Sequence, residues 1–130
     1  MVFKKIDNPD IFVHLAWSNL HDHNSKKHFE TERKHYYFLK NLIDNGLKNL
    51  IVVGTCFEYG FQSGPISSKS ETDPKNAYAM AKDNLRQHLE LLNINHPFLL
   101  QWARLFYMYG DGQSPHSIIP QLDTAINNNK

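Results

Sequence analysis

Apolar residues fall along this chain in two alternating spacings: unbroken runs, and stripes three or four residues apart. Ile11-Phe12-Val13-His14-Leu15-Ala16 is nearly continuous and follows Asn8-Pro9-Asp10, which predicts a strand covered on both faces. From Phe29 to Asn45, Tyr36, Leu39, Leu42 and Ile43 recur at helical intervals, and Gly46 stands where a C-terminal cap belongs, so this segment reads as an amphipathic helix. Leu50-Ile51-Val52-Val53 is rich in β-branched residues and lacks polar alternation, which predicts a second buried strand ending at Gly54-Thr55. Residues 61–75 are rich in Gly, Ser, Pro and Lys and read as a loop. Ala77, Ala81, Leu85, Leu89 and Leu92 then form a stripe on a helix that must end before Pro97. Phe98 to Phe106 reads as a third strand, and a short helix is predicted over residues 118–126.

Strands alternating with helices build a parallel sheet with right-handed crossovers. In such sheets ligands bind outside the carboxyl ends of the strands. Those ends deliver Leu15 and Ala16, then Thr55, then Arg104, Leu105 and Phe106 to one edge. The helix that follows the long loop starts at the same edge, and it carries Tyr78 and Lys82 one turn apart on one face. A phenol titrates near pH ~10, and an ammonium held beside it favours the phenolate. The pair therefore makes Tyr78 a candidate acid/base.

Composition narrows the class without changing the fold. With 130 residues, 41% hydrophobic and 21% charged, the chain suits one globular domain with a real core. Its formal net charge of +1 comes from interspersed signs, with no basic block of the kind that binds nucleic acid or an anionic membrane. No apolar run has the length of a membrane span, and Met1-Val2-Phe3-Lys4-Lys5 lacks a signal-peptide core. The lone Cys56 excludes an internal disulfide framework, so a cytoplasmic location is the simplest expectation. His14, His21, His23 and His28 are read as one strand residue and three solvated loop residues rather than as a metal site, because no cysteine accompanies them. Cys56 is read as a small residue after a strand rather than a nucleophile, since no partner base is assignable. Tyr36-Tyr37-Phe38 is read as core and helix-pair packing.

Taken jointly, His14-Leu15-Ala16, Gly54-Thr55 with Tyr59-Gly60 beyond it, Tyr78-x-x-x-Lys82 and Arg104-Leu105-Phe106 resemble the extended short-chain dehydrogenase/reductases. More narrowly, the chain is similar to the NAD-dependent epimerase/dehydratase family that acts on nucleotide sugars. The resemblance covers about residues 10 to 122 and implies an α/β fold, a partial Rossmann-like parallel sheet of about three strands. It implies residues 1–110 as the catalytic half of an NAD(P)-binding domain and 111–130 as the start of a substrate-domain segment.

The same resemblance implies roles residue by residue. Tyr78 is the expected general acid/base, Lys82 the group that lowers its pKa and holds the nicotinamide ribose, and Thr55 the hydroxyl that binds the reacting oxygen. Leu15, Ala16 and Phe106 are expected to line NAD or NADP; Cys56, Phe57 and Tyr107 are expected to face the nucleotide-sugar. The family's dehydratases carry Asp-Glu where Cys56 and Phe57 stand here, which points to epimerisation or keto-sugar reduction instead. The glycines, at 46, 54, 60, 64, 110 and 112, do not make the family's Gly-x-x-Gly-x-x-Gly turn. The chain is thus expected to correspond to an internal part of such an enzyme, beginning near its fourth strand. A first strand with an unpaired edge, and apolar sheet surface lacking its helices on one face, imply association with a second copy or with the missing N-terminal half. In the family, the helices equivalent to residues 29–45 and 76–93 form a dimer interface. A catalytically silent remnant that acts only in binding or oligomerisation is the alternative function.

Overall fold

The computed structural model describes residues 2–128. Its elements are α1 (Val2–Lys5), β1 (Ile11–His14), α2 (Lys27–Asp44), β2 (Asn49–Thr55), a 3-10 turn (Cys56–Tyr59), α3 (Ala77–Asn95), β3 (Leu99–Leu105) and α4 (Ile118–Asn127). The three strands form one parallel sheet in the order β1-β2-β3. Both crossovers run through a helix, as parallel neighbours require. The long loop after β2 holds no helix or strand from Gly60 to Asn76.

The helical stripes found their partners. Leu39, Leu42 and Ile43 of α2 meet Leu85, Leu89 and Leu92 of α3, and Leu50, Val52 and Phe98 close the core beneath them. Phe12 and Phe38 pack edge to face at 5.7 Å, and Tyr36 contacts His88 at 5.5 Å across the helix pair. Gly46 adopts φ 112° just past α2, where its N–H and that of Leu47 take up the last carbonyls of the helix. Asn76 caps α3, its side-chain oxygen accepting from the Ala79 N–H at 2.9 Å.

Two element bounds differ from expectation, and the sheet has the bare apolar face expected of missing helices. β1 ends at His14 rather than Ala16, because its last partner is Val52; from Val53 onward β2 pairs only with β3. The sheet is covered on one face only. Phe12, Leu100 and Trp102 turn toward the helices, whereas Ile11, Val13 and Leu99 on the opposite face are about half exposed. An unbroken apolar run therefore marks a sheet that buries one face and leaves the other face apolar but uncovered. α2 also starts at Lys27, earlier than its apolar stripe, which brings His28 into the helix and fully out of solvent. α4 buries none of its residues. Among the described residues no helix is long and apolar enough to cross a membrane.

Candidate active site at the carboxyl ends of the strands

β2 runs to Thr55, and its chain then turns at once into the 3-10 segment Cys56–Tyr59. The turn is held by a reciprocal cap. Thr55 Oγ1 accepts from the Phe57 N–H at 3.3 Å, and the Thr55 N–H donates to Glu58 Oε1 at 2.8 Å. This places the Thr55 hydroxyl at the sheet's carboxyl edge. α3 enters the same edge with Tyr78 in its first turn. The Tyr78 N–H, which has no partner within the helix, donates to the His23 carbonyl at 2.9 Å.

Thr55, Tyr78 and Lys82 line one cavity of about 460 Å³, together with Leu15 and Phe106. Cys56, Phe57 and Tyr107 border it as well. Ala16 does not; it lines an adjoining, mainly apolar cavity of about 560 Å³ beside His14 and His35. Leu15 belongs to both cavities. The volumes lie within the range of small-molecule sites.

Lys82 is almost wholly buried, and its Nζ donates to the Val53 carbonyl at 2.7 Å while lying 4.2 Å from the Trp17 ring centre. Burial lowers its pKa to about 8, against the opposing pull of Glu58. Tyr78 moves the other way. Burial pushes its phenol above the usual value, the Thr55 hydroxyl draws it back, and the nearby Glu58 and Cys56 raise it further. A downward shift of Tyr78 by Lys82 is therefore not what this arrangement produces: the ammonium is engaged by a carbonyl and an indole. At neutral pH the phenol keeps its proton and the lysine most of its charge.

Several residues at the site were not anticipated. Tyr78 is packed by His23, stacked at 5.2 Å and 20°, by His28 at 5.3 Å and by Trp17 at 6.1 Å. His28 is fixed between Trp17 Nε1 and the Asp22 carbonyl, so it is a buried structural group rather than a solvated loop residue. These contacts cross long stretches of chain, and no local pattern announces them. Glu58 differs, since Thr-x-x-Glu at residues 55–58 is a readable capping signature. No group of three or more His, Cys, Asp or Glu is arranged to hold a metal among the described residues.

A parallel α/β sheet that gathers a strand-end threonine and a helical Tyr-x-x-x-Lys around one cavity defines a protein of the Rossmann type. The chain belongs to the NAD dependent epimerase/dehydratase family, whose description it matches over residues 1–130. It is 34% identical over 123 residues to a dTDP-6-deoxy-L-talose 4-dehydrogenase (NAD(+)) of Aggregatibacter actinomycetemcomitans, covering 92% of this chain and 46% of that protein. Its fold is shared with a UDP-N-acetylglucosamine 4-epimerase from Methanobrevibacter ruminantium M1, at TM-score 0.82 and 20% identity over 98% of this chain and 44% of the other. A UDP-glucuronic acid 4-epimerase from Bacillus cereus in complex with NAD superposes at TM-score 0.75 and 20% identity, over 100% of this chain and 43% of its own. The chain thus spans less than half the length of these relatives.

Proposed function

We propose that this chain carries the acid/base half of the site of an NAD(P)-dependent enzyme acting on a nucleotide sugar, most directly as a keto-sugar reductase or its reverse and otherwise as an epimerase. The observation that carries the reading is the single cavity into which Thr55, Tyr78, Lys82 and Phe106 are brought from three separate segments. The relative with 34% identity is named as a 4-dehydrogenase, which favours alcohol–ketone interconversion over epimerisation.

The residues present suit the nicotinamide end of a dinucleotide, without the glycine turn that would hold its pyrophosphate. Leu15 lines both cavities, one apolar and the other carrying a phenol, an ammonium and a hydroxyl, so a ligand reaching into both would pass the end of β1. Leu15, Ala16 and Phe106 would line it, and Lys82 would hold its ribose. Bound NAD(P) would supply or accept the hydride. Tyr78 holds its proton at neutral pH, so it acts as the acid that protonates the sugar oxygen in reduction and as the base that recovers the proton in oxidation. The Thr55 hydroxyl orients that oxygen, and its hydrogen bond favours the charge arising on Tyr78. Cys56, Phe57 and Tyr107 would face the nucleotide sugar, with residues 111–130 leading into further substrate-binding structure.

Titration of the protein with NAD and NADP by calorimetry tests the cofactor half of this reading. A chain that binds neither would be the silent binding remnant. Tyr78→Phe tests the chemistry: turnover is expected to fall about 10²–10⁴-fold, the usual share of general acid/base catalysis, with little change in stability. Near-normal turnover would remove Tyr78 from its role.

A further inference from the structure

Glu58 is 0% exposed and sits one turn beyond a strand end, directly after Thr55, Cys56 and Phe57, which line the cavity. Its two oxygens are fully engaged. Oε1 accepts the Thr55 N–H at 2.8 Å; Oε2 accepts Trp102 Nε1 at 2.9 Å and Arg104 Nε at 2.6 Å. The surrounding sequence is fitted to it. A Cβ on Gly54 would lie 2.6 Å from Glu58 Oε1 and 2.3 Å from Trp102 Nε1, so only glycine leaves room for the carboxylate and the indole together. Arg104 then continues to Tyr59, donating to its hydroxyl at 3.1 Å and stacking over its ring at 4.6 Å.

A cap for one short turn does not require this arrangement, because a solvated Asp or Ser caps a turn equally well. A buried ion pair is also a poor way to add stability, since desolvation offsets much of the attraction. What the network does achieve is precision at Thr55. Its N–H is held by Glu58 and its Oγ1 by the Phe57 N–H, which fixes backbone and side chain from both directions and leaves the hydroxyl proton for the cavity.

We propose that Glu58 is a positioning residue: anchored by Arg104 and Trp102, its carboxylate sets the Thr55 hydroxyl opposite Tyr78. This deepens the reading of Thr55 and Tyr78 given above and rests on it. Glu58 raises both Tyr78 and Lys82, within a surround made of Thr55 and Cys56 beside it, Lys82 from α3, and His23 and His28 from the loop and helix packed on the Tyr78 ring. Its own counter-charge is Arg104 from β3.

Glu58→Gln in the full-length protein separates positioning from plain structure. Amide exchange at Thr55 is expected to accelerate about tenfold or more, the loss of a hydrogen bond to a charged acceptor, while Val52 and Leu89 keep their protection. The kcat should fall about 10²-fold, as for a misplaced catalytic group, with cofactor affinity unchanged. Unaltered Thr55 exchange, or loss of protection at all amides together, overturns the proposal. Should the variant fail to fold, the unmodified protein decides: Thr55 exchanging as slowly as Val52 supports the clamp, and exchange at the rate of an exposed loop refutes it. Absence of turnover in the unmodified protein would instead refute the reading of its function, while the exchange results would still judge Glu58.

Discussion

His14 and Lys82 are both basic groups that burial holds toward their neutral forms, and the consequence for folding falls in different pH windows. The His14 imidazole is lowered from 6.5 to about 4, by burial first and then by the neighbouring positive charges of His35 and Lys82. In the unfolded chain it takes up a proton near pH 6.5, whereas in the folded chain it resists one until about pH 4. The unfolded state therefore binds more protons within that interval, and stability rises with pH across it. Above pH 6.5 the contribution is complete; as pH falls toward 4 about 3 kcal/mol is lost. The urea midpoint of the protein is expected to drop over this range, and His14→Leu should flatten that part of the dependence. An identical pH slope in the variant would contradict the assignment. For Lys82 the corresponding window lies between about 8 and 10.5, where the folded chain has released a proton that the unfolded chain still holds. That window is alkaline, so near neutral pH the ammonium remains for chemistry.

At the scale of elements, the loop between the 3-10 turn and α3 is fastened at its two ends. Gly60 has φ +68°, and a Cβ there would lie 2.1 Å from the Asp73 carbonyl oxygen, while the Asp73 N–H donates to the Glu58 carbonyl at 2.9 Å. Gly60→Ala combines left-handed strain with a backbone clash and is expected to destabilise the protein by about 2–4 kcal/mol. Gly64 supplies the control: its φ is also positive, at +89°, but nothing lies within 4 Å of its added Cβ. Gly64→Ala should cost only about 1 kcal/mol. Equal losses in urea denaturation would show that the Gly60–Asp73 contact does not hold the loop. These elements also show what the sequence could disclose. Helical stripes and β-branched runs are local patterns, so α2, β2, α3 and β3 were legible to within a few residues, and Thr55, Tyr78 and Lys82 could be placed at one edge. The end of β1 was not legible, because pairing with Val52 rather than apolarity stops it. Nor were Trp17 and His23, whose contacts with Lys82 and Tyr78 depend on folding of distant segments. The direction of the Tyr78 shift was missed for a related reason. Spacing shows that a lysine is near, but not that a carbonyl and an indole have engaged its charge.

Across the whole molecule, one side of the sheet carries the core and the other carries uncovered apolar side chains. Ile11 and Leu99 are each 56% exposed and Val13 49%, with Leu15 at 68% just beyond β1. Val13 pairs in register with Ile51 and Val53 with Ala103, so apolar positions adjoin across strands on this face, with Asn49 between Ile11 and Leu99. β1 and β3 are the edges of the sheet, and α4 adds exposed Ile118, Leu122 and Ile126. Contiguous apolar surface of this kind drives association, and an unpaired strand edge gives it direction. The 130-residue chain by itself is therefore expected to elute from size-exclusion columns larger than a monomer, increasingly so with concentration, and to bind a hydrophobic dye such as ANS. Val13→Lys places a charge at the centre of this face without touching the helix-packed core. It should suppress both behaviours and leave the urea midpoint nearly unchanged, since a half-exposed side chain contributes little to the fold. A monomeric, dye-free elution of the unmodified chain at high micromolar concentration would show that this face needs no cover. Association unchanged by Val13→Lys would move the contact to α4 or to the exposed side of the helix pair.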